Sequence, residues 1–425
     1  MLRVNVTPDL LEITLNARAA FSKRSWPFVL ATAVPWLLCA GQRSMRRLAS
    51  MGDLRRSTSA YYRFLSDGKW RLHLLFSSLF RLIVSTFAIQ ELTLVVDDTL
   101  CPKWGRSIYG TGSYFDHVRR PRAGYIWGHN WVVMAIVIRV SAKASVALPF
   151  WIGLYRPEER CSPEQFRTRH QMAAGVLALV RALFPGPIRL LADGAFANQS
   201  VIGPADELKI GLVSRLRADA ALRSAKPPRR SKKKRGRKPK FGARLGKLAG
   251  MARCSSAFKA RRVMIYGKTV TLLLREFEAY WPAIGRVVKV VITRDPKRPK
   301  RVAYLMTTDC LLGGVAVVEL FAQRWTIEQL FSVAKLQMGL DSTEARKERA
   351  VVRHAALCIA LIAWTEVWAY KAHPLAWARP FAQKLAAFRA TTITSTIFEA
   401  GPRTRGSRRI ANDIGSLFTS ATGAA

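Results

Sequence analysis

Acidic residues are scarce in this chain. Its 425 residues carry 27 Asp and Glu against 69 Lys and Arg, a formal net charge of +42. That imbalance argues against a cationic partner and for a polyanionic one. Nucleic acid comes first, because neutralising phosphates supplies most non-specific affinity. A basic membrane-surface protein would need an amphipathic or lipidated anchor, and none is visible. Cysteine and histidine are sparse too, six of each. Cys39, Cys101, Cys161, Cys254, Cys310 and Cys358 form no CxxC pair, and no His-rich segment accompanies them. That spacing argues against a zinc site and a disulfide framework, and predicts buried reduced thiols in a cytoplasmic protein. The start, MLRVNVTPDLLEI, lacks an apolar run followed by a small-residue cleavage site, so no signal peptide is expected. Long apolar runs are missing as well. WPFVLATAVPWLLCA is too short to span a bilayer and holds two prolines, and AALCIALIAW stops at Thr365 and Glu366. Both are expected as core helices, and no membrane is expected as a partner. Half of the residues are hydrophobic, enough for sizeable cores, and the length suggests about three domains.

From about Phe21 to Phe87 the pattern is helical. The pieces are WPFVLATAVPWLLCA, SMRRLASMG, STSAYYRFLSDG and WRLHLLFSSLFRLIVSTF. The middle two are short, Arg-rich and joined by a turn around Gly52, which resembles a helix-turn-helix. Ser57 is placed to cap the second, whose start would carry Arg55, Arg56 and Tyr61 toward DNA. The alternative is a plain helical bundle with a basic surface.

Strands follow. ELTLVVDDTLCPKWG is a β-type run over Leu92 to Val96 that ends in two acids. After a Gly- and Tyr-rich loop, NWVVMAIVIRV and ASVALPFWIGLY complete an antiparallel meander. A helix is expected over SPEQFRTRHQMAAGVLALVRALF, capped by Ser162 with Glu164 in its first turn. PIRLLADGAFAN then gives a second apolar strand, ending at Asp193 and Gly194. One acid at a strand end is usually a turn residue or a cap. Two, each after a strongly apolar strand, point to function, because functional groups collect at strand ends in open α/β sheets.

From Pro204 to about Lys300 the pattern loosens. SAKPPRRSKKKRGRKPKFGARLGK is a solvated basic loop. Its centre, KRGRKPK, looks like an Arg-Gly-Arg minor-groove hook, with Arg235 and Arg237 suited to a narrow A·T-rich groove. Lys238 departs from the usual Arg-Gly-Arg-Pro order. A charged loop that only adds phosphate affinity is the alternative. ARRVMIYGKTVTLLLREF and GRVVKVVITRD add strands, so the segment reads as a β-rich insertion ahead of RVAYLMTTD. Trp281 reads as a core residue rather than a base-stacking one. His129, in WGHNW, reads as a structural histidine.

The remaining acid of interest lies in FAQRWTIEQLFSVAK. At about 100° per residue, Phe321, Arg324, Glu328 and Lys335 share one helix stripe roughly 60° wide. Taken alone, Arg324 and Glu328 are an i,i+4 pair worth a few tenths of a kcal/mol. In the whole chain the order is strand–Asp, strand–Asp, long insertion, helix–Glu. That order resembles the DDE transposases, which have an RNase H-like core. The stripe resembles the Tyr-x2-Arg-x3-Glu-x6-Lys signature of their hairpin-forming, cut-and-paste insertion-sequence branch, with every spacing kept and Phe321 in place of Tyr. Asp97, Asp98 and Thr99 resemble that family's Asp-x-Thr. Asp193, Gly194, Ala195 and Phe196 resemble its Asp-x-x-Tyr/Phe. The resemblance covers about residues 20 to 370.

The resemblance implies an α/β fold: an RNase H-like mixed sheet with flanking helices, a β-rich insertion and an N-terminal helical domain. It implies that residues 1–88 are a helix-turn-helix-like DNA-binding domain. Residues 89–204 and 301–372 are then the two parts of the catalytic core, 205–300 the insertion with its basic loop, and 373–425 a tail available for dimerisation. The implied catalytic and metal-binding residues are Asp97, Asp193 and Glu328. Arg324 and Lys335 are implied contacts to phosphates beside the scissile bond, with Arg235, Arg237 and Lys238 as further DNA contacts. Asp97 is preferred to Asp98 by the Asp-x-Thr register, and strand alternation allows only one of them to face the site. The implied cofactor is Mg²⁺, with Mn²⁺ able to substitute, as two ions about 3.5–4 Å apart in each active site. The implied partners are double-stranded DNA, as inverted-repeat ends and target, and a second copy of the chain when the ends are synapsed. A bacterial, nucleoid-associated location follows. A catalytically inactive or repurposed DNA-binding protein is the competing expectation. An unbroken acid triad speaks against it.

Overall fold

The computed structural model describes residues 8–39, 41, 43–51, 56–116, 124–225, 242–374 and 377–399. Five helices come first: α1 (Pro8–Leu15), α2 (Trp26–Leu38), α3 (Met45–Met51), α4 (Thr58–Ser66) and α5 (Leu72–Thr86). Aromatic side chains fill the space between them. Phe28 stacks on Phe64 at 5.6 Å and meets Tyr61 edge-on at 5.8 Å. Tyr61 is fully buried there, and the Arg56 guanidinium lies over the Phe28 ring at 4.4 Å. This corrects the expectation that Tyr61 reaches toward DNA: the ring is consumed by the core. Ser57 stands at the N-cap, but its hydroxyl pairs with Ser59 at 3.0 Å and makes no capping bond. Arg55 and Gly52 lie outside the described residues.

The central sheet has eleven strands. β1 (Leu92–Pro102) pairs antiparallel with β3 (Gly124–Arg139), which also pairs antiparallel with β2 (Gly112–Asp116) and β4 (Ser145–Tyr155). α6 (Arg169–Leu183) crosses over to β5 (Ile188–Ala192), parallel to β1. α7 (Gln199–Glu207) crosses over to β6 (Ile210–Arg215), parallel to β5. The order β4-β3-β1-β5-β6, antiparallel on one side of β1 and parallel on the other, is an RNase H-like fold. The apolar residues of β1 and β5, Leu94 to Val96 and Leu190 to Ala192, are fully buried, as strands covered on both faces require.

Three sequence expectations change here. The loop after β1 contains a strand, β2. β1 also runs on past Asp97 and Asp98 to Pro102, because β3 keeps pairing from Asp97 opposite Val133 to Pro102 opposite Gly128. The helix expected to start at Ser162 starts at Arg169 instead. Thr168 is its N-cap and closes a reciprocal capping box with Gln171, which is a stronger start signal than Ser162 before Pro163.

The insertion extends the same sheet. It comprises β7 (Arg223–Ser224), α8 (Leu248–Arg253), β8 (Lys259–Ile265), β9 (Lys268–Trp281) and β10 (Arg286–Arg294). β11 (Val302–Thr307) returns antiparallel to β6 over Val213 to Arg215, and β10, β9 and β7 follow in order, with β8 also on β9. Trp281 packs half-buried against the core, as expected. Arg235, Arg237 and Lys238 lie outside the described residues.

After β11 come α9 (Gly314–Gln323), α10 (Thr326–Ser332), a π-helical turn (Val333–Gln337), α11 (Glu348–Ala372) and α12 (Phe381–Glu399). α11 is long and apolar enough to cross a membrane, but 94% of its most apolar window is buried inside the fold. The apolar run breaks at Thr365 and Glu366, but the helix continues through them to Ala372. Both are buried, and Glu366 accepts from Lys384 Nζ at 2.6 Å and Trp377 Nε1 at 2.8 Å. α11 packs on β4 and touches α1, α4, α5 and α12, so the helical N-terminus and the sheet share one core. All six cysteines are free. Cys39, Cys101 and Cys358 are buried as expected, whereas Cys161 and Cys310 are partly exposed and Cys254 is exposed.

Candidate active site

The site forms where the parallel pairing of β1 and β5 ends. Val96 opposite Ala192 is the last pair, and the next residues are Asp97 and Asp193. The two acids thus emerge side by side from two buried strands. Asp193 is half-buried, and its carboxylate has no hydrogen bond or ion pair among the described residues. Gly194 lets the chain turn at once, since a Cβ there would sit 3.1 Å from the Arg215 carbonyl oxygen. A 3₁₀ turn (Gly194–Phe196) follows and buries Phe196.

Strand alternation separates the two neighbouring aspartates. Asp97 Oδ2 accepts from Arg324 Nη1 at 2.9 Å, whereas Asp98 Oδ2 accepts from Arg169 Nη1 at 2.7 Å. Arg324 also donates from Nη2 to Glu328 Oε1 at 2.7 Å. One guanidinium therefore joins Asp97 to Glu328. The i,i+4 pair expected from the helix is present, but it is half of a bridge. Arg324 and Asp97 are mostly enclosed, at 16% and 19% side-chain exposure, while Glu328 stays at 46%. The Phe321 ring lies 5.7 Å from the same guanidinium. Two of the four stripe residues thus reach β1 directly, Arg324 at Asp97 and Lys335, whose Nζ donates to the Leu100 carbonyl at 2.8 Å.

The segment is not one uniform helix. Arg324 and Trp325 keep helical dihedrals, but Arg324, Trp325, Ile327 and Glu328 donate to carbonyls three residues back, so the turn is 3₁₀-like. The later π turn is wider than an α-turn. The tightening and the widening rotate the face in opposite senses, which returns Lys335 to the β1 side. Trp325 is left exposed and meets Tyr266, at the β8–β9 turn, edge-on at 5.7 Å. The insertion thereby reaches the Glu328 helix across a cleft of about 750 Å³ lined by both rings, Arg139, Lys143, Glu328 and Arg379.

Electrostatics single out Asp97. Burial pushes its carboxyl up to about 7; Arg324 and the Asp98 N–H oppose this, and the charges of Asp98 and Asp193 add to it. Arg324 offsets only part of the burial and crowding of this acid. Asp97 and Asp193 offer hard oxygen donors, which suit a divalent cation. Among the described residues no three His, Cys, Asp or Glu side chains converge as one ligand set. Arg324 stands between Asp97 and Glu328 and supplies a positive charge to both. Glu328 is exposed enough to exchange that partner. His129 is structural as expected: fully buried, bonded to the Tyr109 carbonyl at 2.9 Å and held near 4 by burial. Sequence reading passed over Arg169 and its neighbour His170. The Thr-x-x-Gln capping box around them was the signal available.

No curated protein matches the chain. A family model described as DDE superfamily endonuclease matches residues 18–269, more than half of the chain; Asp97 and Asp193 fall within the match and Glu328 beyond it. With an RNase H-like sheet carrying acids at its parallel strand ends, the chain belongs to the DDE superfamily endonucleases, transposase-like nucleases whose substrate is DNA.

Proposed function

We propose that the chain is a transposase of the cut-and-paste branch, which cuts DNA at the inverted-repeat ends of its element and joins those ends to target DNA. The observation that carries this reading is the position of Asp97 and Asp193 just past the last parallel pair of β1 and β5, with Arg324 tying Glu328 to Asp97. Asp97, Asp193 and Glu328 would hold the Mg²⁺ ions, with Mn²⁺ as a substitute. The chemistry supplied by bound divalent ions is activation of the attacking water or 3′-hydroxyl and neutralisation of the departing 3′-oxygen.

The chain's own residues do the rest. Arg324 holds Asp97 and Glu328 in place before substrate arrives. Released from Glu328, its guanidinium fork fits a phosphate beside the scissile bond. Lys335 exchanges the Leu100 carbonyl for a second phosphate. Residues 1–88 bind the element ends, the insertion presents DNA to the cleft, and two copies pair when the ends are synapsed.

Glu328→Gln tests this reading. In Mg²⁺ the variant is expected to stop nicking end-bearing DNA while still binding it. A variant that nicks as fast as wild type overturns the mechanism. Wild type that binds ends and cuts nothing in Mg²⁺ or Mn²⁺ establishes the alternative, a non-catalytic DNA-binding protein.

A further inference from the structure

We propose that Arg169 and His170, in the first turn of α6, are positioning residues that set the separation of Asp97 and Asp193. The proposal rests on the reading that those two acids hold a shared metal.

The first turn of α6 is closed on both sides. Thr168 Oγ1 accepts from Gln171 N at 3.2 Å, and Gln171 Oε1 accepts from Thr168 N at 2.9 Å. Arg169 and His170 are the two residues inside this closed cap, so their backbone is fixed. They reach different strands. Arg169 binds Asp98 at 2.7 Å, with its guanidinium 5.7 Å from the Tyr155 ring of β4. The Asp98 N–H in turn donates to Asp97 Oδ1 at 2.9 Å. Holding Asp98 therefore orients the carboxylate of Asp97. His170 goes to the other acid. Its ring meets Phe196 edge-on at 5.4 Å, beside the Ala195 backbone. Phe196 N closes the turn on the Asp193 carbonyl at 3.0 Å.

One capped turn thus grips the immediate neighbour of Asp97 with one residue and the turn that carries Asp193 with the next. On the far side that turn is stopped by β6, where Gly194 approaches the Arg215 carbonyl. Two carboxylates that share a metal must keep their geometry to within about 0.5 Å, and such precision comes from locked supporting residues. An Asp98–Arg169 pair that was only a partly exposed ion pair would contribute about 0–1 kcal/mol and leave metal affinity unchanged.

The experiment compares full-length wild type, Arg169→Gln, Arg169→Lys and His170→Gln. Mn²⁺ binding is titrated without DNA by electron paramagnetic resonance. DNA-end affinity and melting temperature are measured without metal. Arg169→Gln is expected to weaken Mn²⁺ binding by roughly 10–100-fold, as loss of an orienting partner does, with metal-free DNA affinity within about two-fold of wild type. Arg169→Lys, which keeps the charge, is expected to recover most of the loss. Wild-type Mn²⁺ affinity in Arg169→Gln overturns the proposal. So does an equal loss in both Arg169 variants with a lowered melting temperature, which marks a merely structural role. Should Arg169→Gln fail to fold, His170→Gln decides: weakened Mn²⁺ binding supports the clamp and unchanged binding overturns it. Wild type that binds Mn²⁺, with the expected loss in Arg169→Gln, but nicks no end-bearing DNA overturns the transposase reading alone.

Discussion

Asp97→Asn is expected to stabilise the metal-free protein while removing an acid the site depends on. The buried carboxyl is raised from its ordinary 3.8 to about 7, and burial is the main cause. At 1.36 kcal/mol per pH unit, ionising it inside the fold costs about 4 kcal/mol. The sign follows from proton linkage. Between pH 4 and 7 the folded chain holds a proton that the unfolded chain has released, so stability falls as pH rises through that window and levels off above it. Asparagine mimics the neutral acid and can still accept from Arg324. The variant should match wild type near pH 4 and exceed it at pH 8. With unfolding entropy of about 2.1 cal/mol/K per residue, 4 kcal/mol corresponds to a rise of about 4 °C for a chain of this size. Paired melting scans at pH 5, 6.5 and 8 in EDTA measure it. A variant that melts lower than wild type at pH 8, or an offset that does not change with pH, refutes the argument that Asp97 is a crowded, desolvated acid.

Two further outcomes follow from other contacts. Lys384 and Glu366 are each 4% exposed. Lys384→Met leaves the carboxylate buried with Trp377 as its remaining partner, and should cost about 3–5 kcal/mol in denaturant titrations. Pairing it with Glu366→Leu should restore most of that, and a single variant within about 0.5 kcal/mol of wild type would contradict the account. Lys335→Met should weaken binding evenly across DNA sequences and reduce the slope of log affinity against log salt by about 1. An unchanged slope would mean that Lys335 never leaves the Leu100 carbonyl.

Much of the site was legible because its parts are local. Apolar runs ending in Asp97 and Asp193 mark where the parallel pairing of β1 with β5 stops, and helical spacing alone puts Phe321, Arg324, Glu328 and Lys335 on one face. What was not legible depends on partners far away in the chain. β1 continues through two acids because β3 still pairs with it there, and no local pattern in DDTLCP says so. Tyr61 turns inward because Phe28 and Phe64 wait for it. The 3₁₀ and π irregularities around Glu328 follow from docking on β1, since their residues carry no Gly or Pro to announce a break. Arg169 and His170 were within reach of sequence reading, but Ser162 before Pro163 drew attention to the wrong start.

The pairing of β10 with β11 has a consequence for anyone who would trim or exchange the insertion. It is not a module hung on a loop. Cutting it away would strip β11 of its neighbour β10 and leave a raw row of peptide groups at the margin of the sheet, a template for sticking to other molecules. Such a truncation should be recovered as aggregate unless another strand is supplied in its place. The same constraint acts on natural variation: this region can lengthen, shorten or change its basic loop, but whatever replaces it has to bring its own edge.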